Sequence, residues 1–246
     1  MTRRQLLAAS LTATGGLAGA TALAKHNGLL PPDAAGPFGP GETLNYLTHR
    51  LLTGDAPARE FARSEISAKP FANGTPPADP VFLQHQANGF ADWRLQVEGM
   101  VQRPSHLAVA DLRRFAPHTQ ITQLTCEEGW GYVAEWTGAR VADLLDHVGA
   151  SPAARFVVYF SHQQSRWDSV DLPEARHPQT LLAYGFNGGD LPVGHGGPMR
   201  FRVPRQLGYK SIKFVNRLLI TDSLAQIGKG LGAAAPEHGY AWFAGI

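Results

Sequence analysis

Short runs that alternate apolar and polar residues, each closed by a turn, constrain this chain more than any other feature. Trp93-Arg94-Leu95-Gln96-Val97-Glu98-Gly99 and Thr119-Gln120-Ile121-Thr122-Gln123-Leu124-Thr125 carry the period of half-buried strands. Residues 155–160 are continuously apolar after Arg155 and predict a buried strand. Residues 181–186 predict another, followed by the turn Asn187-Gly188-Gly189-Asp190. Residues 199–203 and 212–221 complete the strand set. Helical spacing occurs in stretches of residues 44–61, in 107–115, in a turn at 173–176 and in 139–148. In the last, Val141, Leu144, Leu145 and Val148 recur on one face and Gly149 stops the helix. Strands outnumber helices, and helices interrupt them irregularly, so the expected class is α+β with a mixed, β-rich fold.

The ends organise the rest. Thr2-Arg3-Arg4-Gln5-Leu6-Leu7 and the mildly apolar stretch to Ala24 read as a twin-arginine signal peptide over residues 1–24, with Ala22-Leu23-Ala24 as the cleavage pattern. The expected location is therefore the periplasm. Residues 25–67 form a Pro- and Gly-rich leader and a helical segment, 68–223 the main domain and 224–246 a C-terminal tail. No later segment approaches the ~20 apolar residues of a membrane-spanning helix. The formal charge of +2 disappears with Arg3 and Arg4, so neither nucleic acid nor an anionic membrane is indicated as a partner.

Cys126 is the only cysteine. It excludes an internal disulfide, haem attachment through Cys-x-x-Cys-His and a four-cysteine iron–sulfur cluster. Its thiol has either no role or a chemical one. The twin-arginine route carries proteins that load their cofactor before export, and thiolate is a soft ligand, which points to Cys126 as a metal ligand. A second informative stretch runs from His195 to Lys213. Five cations (Arg200, Arg202, Arg205, Lys210, Lys213) fall within fourteen residues, interleaved with Gly and Pro. Arginine forks and exposed backbone N–H groups suit a phosphate; a charged, solvated edge strand has the same pattern. No Gly-x-Gly-x-x-Gly follows a strand and no Walker-type loop occurs, which disfavours nicotinamide and nucleoside triphosphates. No His-x-x-x-His pair with a third ligand supports a zinc site.

In order and spacing these segments resemble the molybdopterin-binding fold of the sulfite oxidase family. The resemblance rests on Asn73 in Phe-x-Asn-Gly-Thr-Pro, on residues 93–103, on Cys126-Glu127-Glu128-Gly129-Trp130 with Trp136-Thr137-Gly138, on residues 181–204, and on Gly208-Tyr209-Lys210-Ser211-Ile212-Lys213. It is strongest to compact bacterial members exported by the twin-arginine route, a group that includes periplasmic methionine sulfoxide reductase catalytic subunits. The resemblance implies a molybdenum–molybdopterin cofactor with Cys126 as catalytic residue and protein ligand to the metal. It implies His195 and Arg200 at the pterin and its phosphate, with Ser211, Ile212 and Lys213 supplying further contacts, and Asn73 and Ser161 opening loops near the cofactor. It also implies a separate electron-transfer partner, a membrane haem subunit in compact relatives.

Two departures shape the expected chemistry. Glu127 and Glu128 follow the cysteine where sulfite-oxidising members carry an arginine, and a carboxylate pair repels a sulfite anion. Arg166 and Trp167 occupy the neighbourhood of the family's substrate-side tyrosine. The chain also leaves no room after Ser223 for the family's immunoglobulin-like dimerisation domain, so a monomer is expected. The implied reaction is oxygen-atom transfer to or from a small or protein-bound S- or N-oxide. Two other readings stand beside it: a hydrolase with Cys126 as nucleophile and a histidine base, and a non-catalytic binding module that kept the fold.

Overall fold

The computed structural model describes residues 30–36 and 38–246. The signal segment 1–24 and the first leader residues lie outside the described residues. Ten strands are arranged in two five-stranded sheets: β1 Leu95–Gly99, β2 Ser105–Leu107, β3 His118–Thr125, β4 Gly131–Arg140, β5 Phe156–Ser161, β6 Trp167–Asp171, β7 Leu181–Phe186, β8 Gly189–Asp190, β9 Arg200–Arg202 and β10 Val215–Thr221. The first sheet has the order β2-β1-β10-β5-β6; the second runs β3-β4-β7-β8, with β9 also paired to β7. Among the described residues only β1 and β10 pair in parallel. The helices are α1 Gly39–Thr48, α2 Pro80–Ala87, α3 Val109–Leu112, α4 Val141–Val148 and α5 Leu172–Ala175. The α+β class and the mixed sheets agree with the sequence expectation.

The main core draws on both sheets and on α4. Leu95 and Val97 of β1, Val157 and Tyr159 of β5, Leu218 and Ile220 of β10, Leu182 of β7 and Phe201 of β9 all belong to it. Tyr159 and Phe201 stack with centroids 3.9 Å apart. The four apolar residues of α4 are fully buried, as its period predicts. Each such burial stabilises by about 1.5–3 kcal/mol. Gly149 ends α4 in the left-handed conformation, φ 65°, where a side chain is disfavoured. Asn187 and Gly188, both at positive φ, close the β7–β8 hairpin as the sequence predicts.

Several elements differ from expectation. The helix expected within 44–61 stops at Thr48 and passes through a π-turn at His49–Thr53. The chain then turns extended, and Glu60 bridges Thr122 of β3. Residues 107–115 yield only α3, because Ser105–Leu107 is drawn into a strand beside β1. Ala139 and Arg140 complete β4, so α4 begins at Val141. The strands β4 and β6 have no counterpart among the expected strands.

The segment before residue 68 is tied to the rest. Ser67 and Val133 exchange two hydrogen bonds of 3.0 Å, and the Gln179 amide bonds both the N–H and the C=O of Ala58. The C-terminal tail is also packed. Trp242 and Phe243 bury against Tyr46 of α1 and Val158 of β5 in a separate cluster. No helix of the described residues is long and apolar enough to cross a membrane.

Candidate cofactor site

Cys126 sits directly after β3, at the start of the turn into β4. Its N–H donates to the Trp130 carbonyl at 2.8 Å, and the Gly129 N–H returns to the Cys126 carbonyl at 3.2 Å. Gly129 makes this closure at φ 87°. The turn leaves Cys126 only 7% exposed on the wall of a cavity of about 520 Å³. Its Sγ donates to the Glu127 carboxylate at 3.3 Å. Burial, then the two neighbouring glutamates, push the thiol up to about 11. Glu128 accepts from the Trp130 indole N–H at 2.7 Å and from the Asn73 amide at 3.2 Å. Arg113 pairs with Asp190 rather than with either glutamate. Trp136 is core, whereas Trp130 lines the cavity and packs edge-on to Phe71.

The same cavity contains Arg200, Ser211, Ile212, Lys213 and Asn73. The solvated-strand reading of the cation run is corrected here: Arg200 is 4% exposed and Arg202 is fully buried. The Arg200 guanidinium donates to the Ser211 carbonyl and the His195 carbonyl, both at 3.0 Å, and lies over the Trp136 ring. Lys213 donates to the carbonyls of Asn73 and Gly194, each at 2.6 Å. Burial and Arg200 bring its ammonium down to about 8. His195 lies behind the cavity wall, stacked on Phe186 at 4.3 Å, with Nδ1 3.4 Å from the Tyr132 hydroxyl. Burial, with Arg200 and Lys213, holds its imidazole down near about 4, so it is neutral at ordinary pH. Ser161 does not reach the cavity wall. Its hydroxyl donates to the Lys213 carbonyl at 2.8 Å and accepts from the Gln163 N–H at 3.0 Å, so it fixes the loop that carries Lys213.

Charge compensation decides what this cavity can hold. Buried Lys210 has Asp168, and Arg50 has Asp171 and Glu174. Among the described residues Arg200, Arg202 and Lys213 have no carboxylate within ion-pair distance. Buried cations without counter-ions are costly, and an anionic ligand beside Arg200 and Lys213 removes that cost. Among the described residues no group of three or more His, Cys, Asp or Glu forms a metal cage. A metal bound through Cys126 would thus need donors from outside such a cage, as a cofactor with its own metal donors supplies. An anionic group with its own metal donors fits these residues. The hydrolase reading fits them poorly: no histidine of the described residues hydrogen-bonds Sγ, and the surroundings raise the thiol's pKa where a nucleophile needs it lowered.

Sequence reasoning counted Arg202 in the cation run but gave it no role, and it passed over the tail. Arg202 stands two residues from Arg200, hence on the same face of β9, a spacing that could have marked it. The cavity wall from Ala234 to Tyr240 lies in the tail, and no motif announces it.

The family described as oxidoreductase molybdopterin binding domain matches residues 82–226. The chain is 34% identical over 155 residues to a putative protein-methionine-sulfoxide reductase subunit YedZ1 of Azospira oryzae, covering 63% of this chain and 56% of that protein. It is 32% identical over 163 residues to the protein-methionine-sulfoxide reductase catalytic subunit MsrP of Ralstonia nicotianae, covering 60% and 49%. The chain thus spans about half the length of the curated relatives it matches. Among solved structures, the sulfane dehydrogenase SoxCD from Paracoccus pantotrophus superposes with a TM-score of 0.51 at 26% identity, over 54% of this chain and 39% of that one.

Proposed function

The chain belongs to the oxidoreductase molybdopterin-binding domain family, and from that premise we propose that it is a molybdenum–molybdopterin enzyme that transfers oxygen atoms at S-oxide substrates, with N-oxides as a related class. The observation that carries the reading is one cavity that presents both a single cysteine thiol and two cations without a carboxylate partner, the buried Arg200 and the half-buried Lys213. The sulfoxide reductase names of two relatives support the substrate class.

Cys126 would bind the metal as thiolate, and Arg200, Lys213 and the backbone at Ser211–Ile212 would hold the anionic end of the cofactor. The bound cofactor supplies two-electron oxygen-atom transfer. The chain's own residues orient and exclude. Neutral His195 backs Tyr132 and gives its carbonyl to Arg200, which fixes the guanidinium without adding a competing charge. Glu127 and Glu128 place negative charge beside the thiol, which disfavours inorganic anions such as sulfite over neutral or zwitterionic S-oxides. Phe71 and Trp130 give the same wall an apolar surface for an organic substituent. Electrons come from a separate protein, for which a membrane haem subunit is the proposed class, and the chain acts in the periplasm as a monomer after twin-arginine export.

The test is elemental analysis and pterin fluorescence on natively exported protein, followed by dye-linked turnover. Molybdenum and pterin in equal amounts, with turnover on S-oxides and little on sulfite, are expected. Folded native protein with neither molybdenum nor pterin would overturn the reading.

A further inference from the structure

Arg202 is a fully buried charge that the proposed chemistry leaves idle. It does not line the cavity. Its guanidinium donates to the Gln123 carbonyl at 2.6 Å, the Thr122 hydroxyl at 3.2 Å and the Ser211 hydroxyl at 3.3 Å. These are neutral acceptors, and Nε has no partner at all. Both guanidinium groups lie over Trp136: the Arg200 and Arg202 guanidinium carbons stand 5.3 and 5.2 Å from its ring centre. Burial and the charge of Arg200 bring the Arg202 guanidinium down to about 9. The chain thus keeps two neighbouring cations in its interior and gives neither a carboxylate.

A hydrogen-bonding role alone does not call for this arrangement. A neutral amide has two N–H donors for the three acceptors here and escapes the desolvation cost of a guanidinium, so hydrogen bonding explains a donor at this position better than it explains a buried charge. The charge makes physical sense if its compensation comes from the ligand. A phosphate group in the cavity carries up to two negative charges and meets the buried Arg200 and the half-buried Lys213; Arg202, fully buried behind them, adds to the same positive field.

We propose that Arg202 is a positioning residue that adds a fully buried positive charge behind the anion seat of Arg200 and Lys213, acting on the phosphate end of the cofactor through space and through Ser211 rather than by contact. Ser211 is the physical link: its hydroxyl accepts from Arg202 while its carbonyl accepts from the Arg200 Nε–H. The other contacts of Arg202, to Thr122 and Gln123, fall in the strand that ends at Cys126. The charge therefore sits at the junction of the thiol-bearing strand and the anion loop. The inference rests on the cofactor reading above.

The test uses natively produced holoprotein and measures pterin retained per folded chain, by fluorescence after acid release, as a function of time in cofactor-free buffer. Arg202→Gln removes the charge and keeps two N–H donors; Arg202→Lys keeps the charge and three N–H donors but loses the fork. Arg202→Gln is expected to lose pterin about tenfold faster than wild type, the scale of one unit charge acting across a screened interior. Arg202→Lys is expected to stay within about threefold of wild type. Equal loss from the two variants, or slower loss from Arg202→Gln than from Arg202→Lys, overturns the proposal, because both outcomes make hydrogen bonding rather than charge the function. Thr122→Asp decides the matter if Arg202 variants do not fold. It leaves Arg202 in place and puts a carboxylate within reach of it, since the Thr122 hydroxyl already accepts from that guanidinium. Folded Thr122→Asp should lose pterin about as fast as Arg202→Gln is expected to, on the order of tenfold; retention equal to wild type counts against the charge role. Wild-type protein containing no pterin would sink the cofactor reading itself, whereas pterin-loaded wild type with unaffected variants sinks only the role of Arg202.

Discussion

Arg200 and Cys126 meet the same cavity with different chemistry, and their substitutions should separate. Arg200 is buried and forked, so its loss removes charge-assisted hydrogen bonds worth roughly 1.5–3 kcal/mol each. Arg200→Ala is expected to lower bound pterin by a factor on the order of a hundred. Cys126→Ser should keep most of its pterin and lose turnover, because serine is a harder donor than thiolate. Pterin content by acid release, set against dye-linked turnover, measures both; equal pterin in Arg200→Ala and wild type would contradict the anchoring role. Elsewhere, His177 is a titrating group with a legible tautomer. Its Nδ1 accepts from the Gln179 N–H at 3.2 Å, so Nε2 carries the proton and donates to the Asp55 carbonyl at 3.1 Å. A second proton would have to sit on Nδ1, facing that N–H. Burial, aided by Arg205 and Arg50 and opposed by Asp55, holds the folded-state pKa below the usual 6.5. The unfolded chain therefore binds the proton more readily, and stability falls as pH drops through about 6.5. His177→Gln should lose about 1 kcal/mol at pH 7.5 yet decline less steeply towards pH 5.5. Parallel declines in denaturant unfolding at the two pH values would rule this out.

At the scale of elements, the β4–β7 pairing carries Trp136 to its place under both arginines. The register shifts between Thr137 and Gly138, and a Cβ at Gly138 would run into the Leu182 carbonyl and stand 2.8 Å from the Ala183 Cα. Both obstacles are backbone and cannot rotate away. Gly138→Ala should therefore cost about 2 kcal/mol in the urea midpoint and lower cofactor content with it; a change under roughly 0.5 kcal/mol would show that the strands part easily. The same strand shows why part of the fold was illegible. In β4 buried positions run on through Ala134, Glu135 and Trp136, then Gly138 and Ala139, so no clean alternation marks a strand. In β6 the buried residues include Asp168, Ser169 and Asp171, whose partners Lys210, Gly232 and Arg50 are distant in sequence. A polar run reads as surface when its partners are unseen. The helix α4, β3 and the Cys126 turn were legible because their signals are local: period, alternation and a glycine stop. Arg202 was not, because its acceptors Thr122 and Gln123 lie about eighty residues away.

At the scale of the molecule, the cavity is assembled from nearly the whole described chain, from Phe71 to Tyr240. Such a site can hold a cofactor only in a folded protein, which suits a route that moves folded cargo. Arg3→Lys with Arg4→Lys is expected to leave the protein in the cytoplasm with its pterin content intact. Cell fractionation with an immunoblot measures it, and unchanged periplasmic yield would mean the address was misread. The tail closes the structure. Ala234 bonds to the Trp167 carbonyl at 3.2 Å, Tyr209 donates to the Ala241 carbonyl at 2.7 Å, and the Trp242 indole donates to Ser169 at 2.8 Å. Between these anchors, Ala234, Ala235, His238 and Tyr240 form one side of the cavity. Among the described residues, positions 95–221 hold every strand, the thiol and the cations Arg200, Arg202 and Lys213, while the tail contributes a wall without a lysine or arginine on it. Changes confined to that wall would therefore alter what fits the cavity and leave the charges that face it as they are.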